Sequence, residues 1–204
     1  MQQKKLVHDS AAWFLVAANL IPIAGVIFFS WSLTQIMLLY WLETAIIGFY
    51  TIIKMLLQAG IFALFHIVFF MVHFGMFMGG HFMGIGAILT INTPNNSWDY
   101  MSDLRMMGFI PIAALLVSHG YSFIQNFEWP KKGTEMHAMQ KSFADPYKRV
   151  ILMHCVVLFG AFAVGFTGVT TAALFILVGL KILTDLYAHA RKHSLLLRNE
   201  TPKK

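Results

Sequence analysis

The residues of this chain that could do chemistry are ionisable groups lying inside apolar stretches. Glu43 follows Trp41-Leu42 with no counter-charge near it in sequence. Histidines recur in later apolar runs, at His66, His73, His81, His119, His154 and His189. Lys181 and Asp185 share the last run with His189. Imidazole and carboxylate together suit zinc, iron or manganese, and they also carry protons. Helical phase groups several of them. His66 and His73 share a face, and Lys181, Asp185 and His189 form one stripe. His193 extends that stripe as His-x-x-x-His, a spacing at which two imidazoles can grip one metal. Asp185 could ligate or orient a ligating histidine.

The elements that must position these groups are membrane helices. The chain has 204 residues, 58% hydrophobic and 12% charged, where soluble domains carry about 25% charged residues. Mean hydropathy is +0.67. Such a composition cannot supply a soluble surface, and lipid removes the need for one. Six apolar runs are long enough to span, at about 11–29, 33–53, 62–89, 106–127, 146–166 and 171–190. The first is read as a retained helix because no small-x-small cleavage site follows it. Ser30-Trp31-Ser32 is a tight connection, Glu128–Asp145 is the longest loop, and Asp145-Pro146 reads as an N-cap and first-turn pair. There is no internal repeat, so residues 1–204 form one all-α transmembrane domain.

Charge placement orients the bundle. With the N-terminus inside, the outer connections hold only Arg105, and the inner segments hold the other loop lysines and arginines, Arg149 among them. Both termini are therefore expected in the cytoplasm. The net charge of +6 fits basic loops against anionic lipid better than nucleic acid. The single cysteine, Cys155, allows no internal disulfide.

Topology then fixes depth, at about 1.5 Å per residue. Glu43 and His73 fall near the middle, and His81 falls toward the outside. His66, His119, His154, Asp185 and His189 fall in the cytoplasmic half, so groups from four helices are expected to converge. Plainer readings stand beside this. His193 suits a solvated interface, Lys54 and Lys181 suit snorkelling to headgroups, and a buried histidine is usually a hydrogen-bonded structural residue. The Met71–Met83 stretch mixes methionine and histidine, which suits Cu(I), but methionine also fills gaps.

Four blocks carry a resemblance. Tyr40-Trp41-Leu42-Glu43, Phe65-His66 through His81-Phe82, Pro146 through His154, and Leu180 through His189 resemble an uncharacterised family of bacterial polytopic inner-membrane proteins. The resemblance implies an inner-membrane location and no particular activity.

The expected function is a transition-metal site, zinc or iron, built from His66, His73, His119, His154, Asp185 and His189. Glu43 and Asp185 are the candidate catalytic carboxylates. If catalytic, a metal-activated water would attack a lipid-like or small-molecule substrate. The alternatives are a haem b electron carrier and a proton-coupled transporter, the latter as a homo-oligomer. No Gly-x-Ser-x-Gly, His-Glu-x-x-His or Walker loop is present.

Overall fold

A computed structural model describes residue 22, residues 24–90 and 100–151, and residues 154, 155, 158, 159 and 179. All regular structure among the described residues is helical. Residues 24–29 are helical and lead into the Ser30-Trp31-Ser32 connection, as expected. Ser32 then caps helix α1, Leu33–Ala59. Its hydroxyl accepts from the Gln35 N–H, and the Gln35 side chain accepts from the Ser32 N–H. This reciprocal box satisfies two of the donors that every helix start leaves over.

Gly60 ends α1 at φ 55°, ψ −136°, a backbone state that side chains with a Cβ rarely adopt. One 3-10 turn, Gly60–Ala63, leads into α2, Leu64–Thr90. Together Leu33–Ala87 make a helical run long and apolar enough to cross a membrane. It is a hairpin rather than one rod. Trp41 Nε1 donates to the Met78 carbonyl at 2.8 Å, Gly48 lies against the Phe74 ring, and Met55 shares a cluster with Ile67. Rising numbers on α1 meet falling numbers on α2, so the arms are antiparallel. Each arm has 27 residues, about 40 Å of helix.

The expected fourth span, 106–127, is two helices. α3, Tyr100–Met107, and α4, Ile110–Asn126, are bent 76° apart and count as a second crossing only if taken as one broken span. Gly108 at φ 78° makes the corner, and Pro111 sits in the first turn of α4, where its missing N–H is not needed.

The expected loop 128–145 also departs from its prediction. It holds α5, Glu135–Ala144. Met139 is fully buried against Met55, Ala63 and Ile67, and the Ser142 hydroxyl donates to Gln58 Oε1 at 2.7 Å. Asp145 is helical, at φ −61°, ψ −41°, and closes α5 rather than capping the next helix. Pro146 interrupts the chain for one turn, and α6 continues at 147–151 and at 154, 155, 158 and 159. The proline ring removes one N–H but does not end the helical course.

Large apolar side chains point away from the protein. Ile61, Phe62 and Phe65 are each more than three-quarters exposed. Only 28% of the most apolar stretch of the hairpin is buried inside the chain. Water would penalise that arrangement at about 25 cal/mol per Å², and hydrocarbon would not.

Candidate functional site

Glu43 lies two residues past Trp41, whose indole pins α1 to α2 at Met78. That anchor turns Glu43 away from α2 and toward α4 and α6. Glu43 is buried, its side chain 9% exposed. The Arg149 guanidinium donates from Nη1 to Glu43 Oε1 at 2.9 Å. His119 on α4 brings Nε2 to within 3.5 Å of the same oxygen. The two contacts differ in kind. The first is a charge-assisted hydrogen bond. The second is within ion-pair range but lacks hydrogen-bond alignment, so this buried His119 nitrogen has no hydrogen-bond partner. One carboxylate thus faces two basic groups from two other helices.

His119 also lines a cleft of about 190 Å³ between α1 and α4. Tyr50, Thr51 and Lys54 form one wall, and Ser122 and Asn126 join His119 on the other. Three of these polar groups are already tied to backbone. Tyr50 Oη donates to the Leu116 carbonyl at 3.1 Å, Thr51 Oγ1 to the Ile47 carbonyl at 2.9 Å, and Asn126 Nδ2 to the Ser122 carbonyl at 2.8 Å.

Two further pairs join α2 to α6. His73 Nδ1 and Tyr147 Oη share a hydrogen bond of 2.8 Å, inside a ring of aromatic groups that includes Phe69 and Phe77. His81 Nε2 and His154 Nδ1 share one of 3.2 Å. His81 is buried and its Nδ1 has no partner. His66 lies about four turns, roughly 22 Å, below His81 on α2, with its Nδ1 also unpartnered.

The expected convergence of His66, His119 and His154 is therefore not what the structure shows. His154 meets His81, which was expected nearer the outside, and His119 meets Glu43. Among the described residues no three His, Cys, Asp or Glu side chains come together to hold a metal. The reason is the start of the fifth helix. Depth counted from Pro146 is too shallow, because the helical course begins at Glu135. The contacts Phe69–Phe143, His73–Tyr147 and His81–His154 keep a nearly constant offset in residue number. So α5 and α6 run parallel to α2 from its first turns upward. Neither His66 nor His119 pairs with His154, which is bonded to His81 instead; the other partner that the haem reading allowed, His189, is not among the described residues. Lys181, Asp185, His189 and His193 lie outside the described residues.

Arg149 and Tyr147 are the site residues that sequence reasoning missed. Arg149 was counted among the loop charges that set orientation. The available signal was its place in Tyr147-Lys148-Arg149-Val150-Ile151-Leu152, where the next apolar run has already begun.

A family model spans nearly the whole chain, matching residues 1–201. The chain belongs to a family of unknown function, DUF6498. This family description assigns no activity, and no curated protein and no solved structure matches the chain.

Proposed function

We propose that this member of the family is a multi-pass protein of the bacterial inner membrane, with six spans and both ends cytoplasmic, and that it is a proton-coupled carrier of a small polar solute. The observation that carries the reading is the single buried oxygen, Glu43 Oε1, shared by Arg149 at 2.9 Å and His119 at 3.5 Å. Ionisable groups at membrane depth are expensive and mark ion or substrate paths. A carboxylate with two basic partners has two arrangements, and a proton on Glu43 releases Arg149 and selects between them. His119 links this node to the cleft, so solute entry and proton exchange would meet at one imidazole. The exposed apolar flanks of the hairpin support a lipid setting.

The test is infrared difference spectroscopy on the full chain in lipid, with a parallel proton-flux assay in liposomes loaded with a pH-sensitive dye. A carbonyl band of protonated Glu43 should appear in the acid-minus-alkaline difference spectrum and be absent in Glu43→Gln. The same substitution should abolish proton uptake driven by an imposed pH gradient. If no carboxyl band titrates and both proteins take up protons equally, Glu43 is a static ion-pair member and the reading fails.

A further inference from the structure

We infer that the seam between α2 and α6 holds a site for a soft cation, Cu(I), on His81 Nε2, His154 Nδ1 and the Met78 thioether. The inference is independent of the carrier reading. It starts from two imidazole nitrogens facing each other at 3.2 Å. At metal–nitrogen distances near 2.0–2.1 Å, two ligands of a tetrahedral ion stand about 3.3 Å apart. The observed separation is thus already that of two ligands on one ion, and a cation can replace the bridging proton without moving either helix. The ring planes are tilted by 54°, so both rings can aim a lone pair into the gap.

Met78 supplies the softness. It precedes His81 by one turn, which puts both on the same face of α2. It is 6% exposed and shares an apolar cluster with Val150, which precedes His154 by one turn on α6. Met78 and His81 therefore face Val150 and His154 across one seam. No third His, Cys, Asp or Glu joins the pair among the described residues, so Cys155 does not complete it. Two imidazoles and one thioether, without carboxylate or thiolate, favour Cu(I) over zinc or iron. Trp41 closes the far side, packing against Phe82 at a tilt of 51° with ring centroids 5.3 Å apart and donating to the Met78 carbonyl. That keeps water from one flank, while His154 on the other flank is exposed and offers an entry path.

One feature weakens the site. With metal on Nε2, the remaining proton of His81 moves to Nδ1, which has no acceptor. Ligating histidines normally donate that N–H to a neighbour. Binding should therefore be exchangeable, as suits a cation in transit more than a structural ion.

The experiment is anaerobic titration of the purified full chain with Cu(I), against a chromophoric chelator of known affinity, with X-ray absorption on the loaded protein. One Cu(I) per chain is expected, with nitrogen and sulfur scatterers. His154→Gln should weaken binding by more than about tenfold, the loss usual for even an outer-shell partner. Met78→Leu should remove the sulfur scatterer and leave the nitrogen scatterers in place. His137→Ala, on the exposed flank of α5, should bind as the parent does. His154 is exposed, so its substitution should leave the fold intact, which the elution profile in detergent checks. Absence of Cu(I) binding by the parent, or equal binding by the parent and His154→Gln, overturns the site. An unchanged sulfur shell in Met78→Leu overturns its ligand set.

Discussion

An arginine held at 2.9 Å from a carboxylate gains Coulomb energy only against the cost of removing both charges from water. Burial decides which term matters here. The Glu43 side chain is 9% exposed and that of Arg149 31%, so Glu43 bears most of the desolvation. Arg149→Met should therefore cost at most about 3–5 kcal/mol, the range for breaking a buried pair, since His119 still faces the carboxylate. Glu43→Gln combined with Arg149→Met should recover much of that, because the pair is replaced rather than broken. Thermal melts of the four proteins in one detergent form the required cycle. Equal losses in Arg149→Met and in the double variant would show that the guanidinium stem, not the charge, stabilises the bundle. The His73–Tyr147 bond is a lesser case. Tyr147→Phe keeps the ring among Phe70, Phe143 and Phe74 and loses one hydrogen bond, so about 0.5–1.5 kcal/mol is expected in the same melts.

At the scale of elements, close packing and helix starts govern. A Cβ on Gly48 would stand 2.5 Å from Phe74 Cε1. Phe74 is itself stacked on Phe70 with centroids 4.8 Å apart, so it cannot swing aside freely. Gly48→Ala should cost about 1–3 kcal/mol by overpacking, although alanine is the better helix former; a melt at or above the parent's would show that the arms separate easily. The start of α5 is electrostatic. The N–H of Glu135 itself, then that of Gly133 at 3.0 Å, hold the Glu135 carboxyl below its usual range. A folded value below the unfolded one stabilises above the unfolded value, near about 4.3, and the benefit is lost as pH falls through the folded value. The melting difference between the parent and Glu135→Gln should thus be present at neutral pH and vanish in acid. These elements also show what the sequence made legible. The Ser30-Trp31-Ser32 connection and the long apolar runs either side of Gly60 were readable, since periodicity and turn residues act locally. α5 was not, because Glu135–Ala144 has a polar composition and its helix is stabilised by distant partners, Met55 and Gln58. A helix does begin after Pro146, at Tyr147, but α5 precedes it on the same course. Depth counted from Pro146 therefore set His154 too far from His81, and reading Arg149 as a loop charge hid its pair with Glu43.

For the whole molecule, the directions of the described helices constrain how the chain can sit in a membrane. α2 and the α5–α6 course run one way. Glu43–His119, Tyr50–Phe123 and the cleft shared by Lys54 and Asn126 show α1 and α4 running together, and α1 opposes α2. Alternating spans require this pattern of the second to fifth crossings, and a membrane reading of these helices with any pair reversed would have failed. The pattern places the C-terminal end of α2 at one end of the bundle and Lys131–Gly133 at the other. It therefore makes a prediction that side-chain packing does not. In a Cys155→Ser background, Ser97→Cys should react with a membrane-impermeant maleimide in intact cells. Lys132→Cys, exposed at the turn before α5, should react only after the membrane is opened, and Ser194→Cys, past the last apolar run, should behave like it. Agreement of Ser194→Cys with Lys132→Cys requires one more crossing after α6. Agreement with Ser97→Cys instead would remove the sixth span, while leaving the α1–α2 hairpin and the Glu43 node in place. Equal labelling of Ser97→Cys and Lys132→Cys in intact cells would go further, because both ends of the described bundle would then face the same solvent, and a membrane-spanning hairpin could not produce that result.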